Sequence, residues 1–150
     1  METVTFEVLP ILSEHLARVF HLERECFAQP WSENALSLLL EDRACGFVGM
    51  IGDEVVAYGG MLFALDEAQI TNIAVSSFHR RQGYGKAILE ALLRKALTVG
   101  ARCAFLEVRV SNESAIALYE HAGFVTVGTR RNFYTSPLED ALVMRKDLSD

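Results

Sequence analysis

The chain has 150 residues, of which 51% are hydrophobic and 23% charged, and its formal net charge at pH 7 is −6. A chain of this length can bury one hydrophobic core, and the composition excludes a disordered or low-complexity protein. A sequence pI near 5.2 argues against a duplex nucleic-acid binder, which needs a broad basic surface. We therefore expect one domain over residues 1–150 and no direct binding of nucleic acid.

No apolar run approaches the roughly 20 residues that a membrane-spanning helix requires. The opening "METVTFEV" lacks the pattern of a signal peptide. The three cysteines have no CxxC spacing, and the four histidines have no metal-ligand spacing. These features predict a soluble cytoplasmic protein without a membrane segment or a metal site, whose cysteines pack as small apolar residues.

Charge is divided unequally along the chain. Residues 1–79 carry 12 acidic and 3 basic side chains, a net charge of −9, whereas residues 80–150 carry 11 basic and 8 acidic side chains, a net charge of +3. The two halves either face different partners or differ by chance. A local basic patch in the second half can still bind a small polyanion.

Hydrophobic periodicity predicts alternating elements in the first half of the chain. "VTFEVL" alternates as a strand, Ser13 is predicted to cap a first helix, and Ser32 is predicted to cap a second. "GFVGMIGDEVVAYGGMLFAL" predicts two strands about a turn at Gly52-Asp53, and "EAQITNIAV" predicts a third. The apolar positions with helical spacing are Leu16, Val19, Phe20 and Phe27 in the first helix and Leu36, Leu39 and Leu40 in the second.

The second half continues the alternation of helices and strands. An apolar stripe from Lys86 predicts a helix that ends at Gly100. "AFLEVRV" predicts a strand, and "ESAIALYEHAG" predicts a short helix closed by Gly123, with Ser111 or Asn112 as its cap. "VTVGTRR" and "ALVMRK" predict the last two strands. The predicted fold class is α/β with a largely antiparallel sheet.

The stretch "HRRQGYGKA" stands between a predicted strand and a predicted helix. A dinucleotide fingerprint would need a glycine at Ile88, and a P-loop would need a glycine at Arg80 and a hydroxyl residue at Ala87, so neither motif is present. Gly83 and Gly85 instead let backbone N–H groups approach an anion at a helix N-terminus, and a pyrophosphate fits this pattern. The alternative is a glycine-eased turn with solvated arginines.

A carboxylate in the middle of a predicted strand is a second candidate. Alternation in "FLEVRV" puts Glu107 on the same strand face as Phe105 and Arg109, although glutamate is disfavoured in strands and seldom buried without a partner. Glu107 is therefore either a functional group or half of a cross-strand salt bridge. Tyr119, twelve residues later, taken alone favours a core aromatic residue.

The segments "TNIAV", "RRQGYG" and "LEVRVSNESAIALYEHAGF" together resemble the GNAT superfamily of N-acetyltransferases, over about residues 4–146. The resemblance implies the GNAT fold, a mixed and mostly antiparallel sheet flanked by helices and splayed between its fourth and fifth strands. It also implies acetyl-CoA as co-substrate. The segments "QPWSE" and "RRNFY…EDALVM" resemble family members that acetylate the N-terminal alanine of a ribosomal protein, with "RRNFY" in a loop.

The resemblance also implies roles for individual residues. Glu107 is expected to be the general base, acting through water, and Tyr119 the general acid for the departing thiolate. Trp31 and Tyr134 are expected to contact the peptide, while Phe133 stands where many relatives have a second tyrosine. The expected acetyl-CoA contacts are Ile73, Ala74, Val75, Arg81, Gln82, Gly83, Tyr84, Gly85, Lys86 and Asn112.

The choice of acceptor amine follows partly from proton affinity. Deprotonation at pH 7 costs about 1 kcal/mol for an α-amine and about 4.6 kcal/mol for a lysine, so a protein N-terminus is the easier acceptor. The acidic first half is expected to attract the basic N-terminus of a ribosomal protein. Two alternatives stay open: a GNAT enzyme for a small-molecule or lysine amine, and a non-catalytic acetyl-CoA-binding module. The presence of both Glu107 and Tyr119 counts against the module.

Overall fold

The computed structural model describes residues 5–148, which form one seven-stranded sheet in the order β1-β2-β3-β4-β5-β7-β6. Its strands are β1 (Phe6–Pro10), β2 (Ala44–Ile51), β3 (Glu54–Ala64), β4 (Glu67–Val75), β5 (Cys103–Arg109), β6 (Val125–Thr135) and β7 (Leu138–Asp147). The α-helices are α1 (Leu16–Cys26), α2 (Glu33–Leu36), α3 (Tyr84–Thr98) and α4 (Glu113–His121). Among these strands, β4 and β5 pair in parallel and all other neighbours pair antiparallel. The predicted α/β class is confirmed.

Two predicted boundaries differ from the structure. Helix α3 begins at Tyr84 rather than Lys86, because Gly83 takes a left-handed conformation (φ 81°) and serves as the N-cap. "RRNFY" lies within β6 rather than in a loop, and an irregularity between Arg130 and Tyr134 with a positive φ at Asn132 interrupts the strand there. The predicted first strand began at Val4, which lies outside the described residues.

The predicted cap at Ser13 is wrong. Ser13 is the first residue of a 3-10 turn, Ser13–His15, that precedes α1. The Leu12 N–H, just before this turn, donates to Nδ1 of the buried His15 at 2.9 Å. The cap at Ser32 is confirmed, since its Oγ accepts from the Ala35 N–H at 3.0 Å.

Helices cover both faces of the sheet. Helices α3 and α4 share one apolar cluster with β3, β4 and β5, and α1 and α2 share another with β2 and β3. Gly59 permits close contact between β3 and α3, because a Cβ there would lie 2.5 Å from Cγ2 of Ile88. Cys103 is buried and the other two cysteines are half-buried, as their predicted packing role requires. No helix within residues 5–148 is long and apolar enough to cross a bilayer.

Candidate active site

The sheet opens between β4 and β5. The two strands pair through three positions, Glu67–Gln69 with Cys103–Phe105, and then diverge. The Ser76 N–H donates to the Val56 carbonyl of β3 at 2.8 Å. Because N–H directions alternate along a strand, the N–H groups of Ile73 and Val75 point away from β3 and into the opening. The opening therefore presents backbone donors that no strand pairs.

One cavity of about 720 Å³ lies between β4, the turn before α3, and α4, and we call it the turn cavity. Helix α3 begins there without a side-chain cap, so the N–H groups of its first turn have no intrahelical partner and favour an anion. A Cβ on Gly83 would meet no atom within 4 Å, but the backbone φ of +81° favours glycine at this position. A Cβ on Gly85 would point between Val75 Cγ2 and Leu118 Cδ2, 3.6 Å from each, and would narrow the cavity.

Most of the residues expected to contact acetyl-CoA line the turn cavity. The lining includes Ile73, Ala74, Val75, Arg81, Gly83, Tyr84, Gly85, Lys86 and Asn112. Gln82 does not line it, and its side-chain oxygen instead accepts from the Tyr84 hydroxyl at 3.0 Å. The Tyr84 ring stacks on Phe6 of β1 with centroids 3.9 Å apart, which fixes the start of α3 against the sheet.

Arg80 supports the turn cavity in a way that its place in the glycine motif did not indicate. Its Nε donates to the Val75 carbonyl at 3.2 Å, and its Nη2 lies 3.7 Å from Sγ of Cys26. The Cys26 thiol also donates to the Val75 carbonyl, at 3.4 Å. Burial raises the pKa of this thiol, so it stays protonated as a donor. Cys26 and Arg80 thus hold the end of β4 in place. Because Arg80 makes these contacts, its guanidinium is not free to bind an anion.

A second cavity of about 270 Å³ lies between β4, β5, the loop from α1 to α2, and the hairpin from β6 to β7, and we call it the loop cavity. Trp31, Glu107 and Tyr134 line it, as expected for the residues assigned to the acceptor. The residues that line both cavities are Phe27, Ile73, Asn112, Ala115 and Tyr119. The two cavities therefore adjoin at the opening in the sheet.

Glu107 lies in the loop cavity and also forms a salt bridge. It projects from the middle of β5 into the loop cavity, with 12% of its side chain exposed. Its Oε1 accepts from Nη1 of Arg130 on β6 at 3.0 Å, so the salt bridge considered above is present and reaches across the intervening strand β7. Its Oε2 accepts from Nε2 of Gln69 at 3.2 Å. Because the Arg130 side chain is 57% exposed, this partner can move away without disturbing the core.

Tyr119 stands at the junction of the two cavities. Its ring is 6% exposed and packs edge-to-face on Phe124, with centroids 5.8 Å apart. Burial raises the pKa of Tyr119 well above its ordinary value, so the phenol stays protonated at neutral pH. Asn112 is the cap of α4, since its Oδ1 accepts from the Ala115 N–H at 3.2 Å. This settles the choice between Ser111 and Asn112.

A buried carboxylate beneath the loop cavity was missed from the sequence. Glu23 of α1 is fully buried, and it accepts hydrogen bonds from the Trp31 N–H at 2.9 Å, from the Asn72 amide and from the Tyr58 hydroxyl. Burial raises the pKa of Glu23, while these hydrogen bonds oppose the rise. Its burial could have been predicted from its spacing, because Glu23 falls four residues after Val19 and so lies on the apolar face of its helix.

The charge split along the chain does not extend into the loop cavity. The charged residues that line this cavity are Glu107 and Arg109, both from the second half of the chain, and none of the acidic residues of positions 5–79 lines it. The loop that carries Trp31 contributes apolar and amide side chains instead. Electrostatic attraction of a basic peptide would therefore act over distance rather than by contact in the cavity.

Comparison with known proteins adds family evidence to this geometry. The acetyltransferase (GNAT) family model matches residues 16–124. The chain is 38% identical to the [ribosomal protein bS18]-alanine N-acetyltransferase of Escherichia coli K12, with 89% of this chain and 92% of that protein covered. It is 35% identical to the putative [ribosomal protein bS18]-alanine N-acetyltransferase of Bacillus subtilis, covering 87% and 88% of the two chains.

Solved structures of acetyltransferases have the same fold as this chain. The crystal structure of the ribosomal-protein-S18-alanine N-acetyltransferase from Escherichia coli superposes with a TM-score of 0.90 at 35% identity, covering 97% of this chain and 96% of that one. Ard1 from Thermoplasma volcanium has a TM-score of 0.89 at 23% identity, covering 98% and 100%, and so supports the fold alone.

Proposed function

The chain belongs to the acetyltransferase (GNAT) family, and from that premise we propose that it transfers the acetyl group of acetyl-CoA to the N-terminal α-amine of a ribosomal protein that begins with alanine. The observation that carries the proposal is the meeting of two differently built cavities at Tyr119, one suited to an anionic donor and one to an acceptor. The named activity of the relatives at 35–38% identity supports the acceptor.

The turn cavity is proposed to hold the donor. The pyrophosphate would bind the free N–H groups of the first turn of α3, between Arg81 and Lys86. The backbone donors of Ile73 and Val75 would bind the extended arm and the acetyl carbonyl, and Asn112 would contact it from α4. Acetyl-CoA supplies an activated acyl thioester, so this chain needs no nucleophilic side chain of its own.

The loop cavity is proposed to hold the acceptor, with Trp31 and Tyr134 against the peptide. The amine nitrogen forms a bond to the acetyl carbon while the carbon–sulfur bond breaks. Glu107 accepts the proton that the amine loses, through water, and Tyr119 gives a proton to the sulfur. The acceptor ammonium can approach Glu107 once Arg130 swings aside, because that guanidinium is mostly exposed.

An α-amine suits this arrangement better than a lysine. Gln69 and Arg130 hold the Glu107 carboxylate in the cavity, where it can accept a proton through water. An amine whose deprotonation at pH 7 costs about 1 kcal/mol gives up that proton far more readily than one that costs about 4.6 kcal/mol. We further propose that residues 1–150 act as a single catalytic domain in the cytoplasm, where ribosomal proteins are made.

Mass spectrometry of purified protein with acetyl-CoA tests this function. Peptides that begin with Ala, Ser or Met, and an acetyl-Ala-Lys peptide with only a side-chain amine, are offered in parallel. We expect the Ala peptide to be acetylated with the highest kcat/KM and the blocked peptide to remain unmodified. Preferential acetylation of the lysine, or of a free metabolite amine offered in the same mixture, would contradict the proposal.

The same assay separates sequence preference from charge. Ala peptides with Arg or with Glu at the next two positions are compared at about 0.15 M and about 1 M salt, where screening lengths are about 8 Å and 3 Å. We expect the Arg peptide to be favoured at low salt and the preference to shrink at high salt, since none of the acidic residues of positions 5–79 lines the cavity and their attraction acts through solvent. Equal rates at low salt would remove the charge argument and leave the demand for a free α-amine.

A further inference from the structure

Gln29 joins two segments that are far apart in the chain. It lies in the loop between α1 and α2, and its Oε1 accepts from the N–H groups of Thr135 at 3.0 Å and Ser136 at 3.2 Å. The same oxygen accepts from Nη2 of Arg109 at 3.2 Å. Its Nε2 donates to the Thr135 hydroxyl at 3.1 Å. One carboxamide thus binds the tip of the β6–β7 hairpin, 106 residues away, at three points.

Arg109 completes this connection from the end of β5. Its Nη1 donates to the Pro137 carbonyl at 3.0 Å and to Glu139 at 3.1 Å, and its Nη2 donates to the Ser136 carbonyl at 3.1 Å. Its guanidinium also lies over the Tyr134 ring, 4.2 Å from the centroid. The hairpin tip is therefore held to β5 by Arg109 and to the α1–α2 loop by Gln29.

These contacts form the cover of the loop cavity. Gln29 and Arg109 both line it, together with Trp31 and Tyr134. The α1–α2 loop borders this cavity, and Gln29 is the residue of that loop that bonds directly to the hairpin tip beside Tyr134. We propose that Gln29 is a positioning residue that fixes the width of the acceptor cavity, so that the first residues of a peptide fit between the loop and the hairpin. The inference rests on the proposed acceptor role of this cavity.

Gln29 acts through the two segments and not by accepting from substrate. Its side-chain oxygen already accepts from three donors, which exceeds the two lone pairs of a carbonyl oxygen. Its removal should also leave the fold intact, because Trp31 at the other end of the loop is anchored independently by the buried Glu23. Loss of Gln29 should thus loosen the cavity without unfolding α1.

Two substitutions at Gln29 distinguish the effect of its hydrogen bonds from the effect of its side-chain size. Gln29→Met keeps the length of the side chain and removes all four hydrogen bonds. Gln29→Glu keeps the acceptors for Arg109 and both N–H groups, and the Thr135 hydroxyl can turn to donate to its second oxygen. Asn34→Met, an exposed position of α2 outside both cavities, is the matched control for adding a thioether.

We expect Gln29→Met to raise the KM for an Ala-initiated peptide about 5- to 10-fold, the scale of one or two lost hydrogen bonds. Its kcat at saturating peptide and its KM for acetyl-CoA should stay near those of the native protein. Gln29→Glu should restore most of the peptide KM, and Asn34→Met should match the native protein. An unchanged peptide KM in Gln29→Met, or equal impairment by Met and Glu, would overturn the inference.

Hydrogen exchange provides a readout that needs no turnover. Gln29→Met should speed amide exchange at Thr135 and Ser136, whose N–H groups lose their acceptor, and leave the interior of α3 unchanged. Unaltered exchange at both amides would overturn the inference even if no peptide were acetylated. Failure of the native protein to acetylate any α-amine, with the exchange difference present, would instead reject the proposed function alone.

Discussion

The turn cavity and the loop cavity adjoin, yet they are built by different means. The groups proposed to bind a ligand in the turn cavity are backbone N–H groups of two short stretches, the end of β4 and residues 81–86. The groups proposed for the loop cavity are side chains on β4, β5, β6 and the α1–α2 loop, where a hydrogen bond joins positions 106 residues apart. A site for a constant donor can be made from backbone, whereas a site that selects among acceptors depends on side chains.

This difference predicts that a substitution in one cavity affects either the peptide or acetyl-CoA, but not both. The largest effect is expected from Glu107→Gln, which should lower kcat for peptide about 100-fold, the usual scale for a positioned base, with acetyl-CoA affinity unchanged. The matched control is Arg130→Gln, which breaks the same salt bridge but keeps the carboxylate. Steady-state kinetics of both variants decides the role of Glu107. Equal losses in the two would mean that the ion pair itself is what matters.

On the other side of the opening, Gly85→Glu should weaken acetyl-CoA binding about tenfold or more, because like charges about 4 Å apart at a protein surface repel by about 1–4 kcal/mol. The new side chain would enter the turn cavity between Val75 and Leu118. Gly128→Glu on the exposed part of β6 adds the same charge where a Cβ meets open space. Calorimetry should detect weaker binding in the first variant only. Native affinity in a folded Gly85→Glu protein would remove the site.

Tyr119 lines both cavities, so it tests the boundary between them. Tyr119→Phe keeps the edge-to-face packing on Phe124 and removes only the hydroxyl. We expect kcat to fall about tenfold, less than for the base because a thiolate can leave without full protonation. Acetyl-CoA affinity should change little in the same protein. Single-turnover measurements that found native kcat would take Tyr119 out of the mechanism.

The smallest predicted effect concerns pH and the support of the loop cavity. The pKa of Glu23 is raised above 4.5 mainly by burial. The folded protein then keeps this proton to higher pH than the unfolded chain, so ionisation of Glu23 costs stability as pH rises through its folded pKa.

Glu23→Gln, which cannot ionise, provides the comparison. Thermal melts from about pH 4 to about pH 8 should show the native protein losing Tm relative to the variant as pH rises, at about 2–4 °C per kcal/mol. A gap that stays constant with pH would mean that Glu23 does not ionise in this range.

The elements that could be predicted from the sequence are those fixed by residues close together in the chain. The bounds of β4 and the turn at Gly52-Asp53 followed from alternation and glycine, which act within a few residues. Ser13 failed as a cap because it lies inside a 3-10 turn that precedes the helix, and its hydroxyl makes no cap hydrogen bond. "RRNFY" failed as a loop because pairing with β7 continues the strand past its irregularity. In the second case, pairing with another strand overrode the local preference.

The same reasoning explains what was found and missed in the site. Gly83 and Gly85 were visible because their conformation and lack of a side chain serve a local purpose. Glu107 was visible because its position in a strand is unusual, but neither Arg130 nor Gln69 could be named as its partner without the sheet register. Gln29 begins the segment "QPWSE" but was given no role, because its hydrogen-bond partners lie on other elements, far away in sequence.

The divergence of β4 and β5 leaves two unpaired strand edges in the middle of a sheet rather than at its margin. Unpaired edges are templates for adding a foreign strand, and proteins commonly protect them from aggregation. Here the register of β4 against β3 shifts between Ile70 and Asn72, and the N–H groups beyond that point are those that would bind the donor. A ligand in the turn cavity would occupy the β4 edge, so the supply of acetyl-CoA would protect the chain from aggregation as well as serve as its reagent.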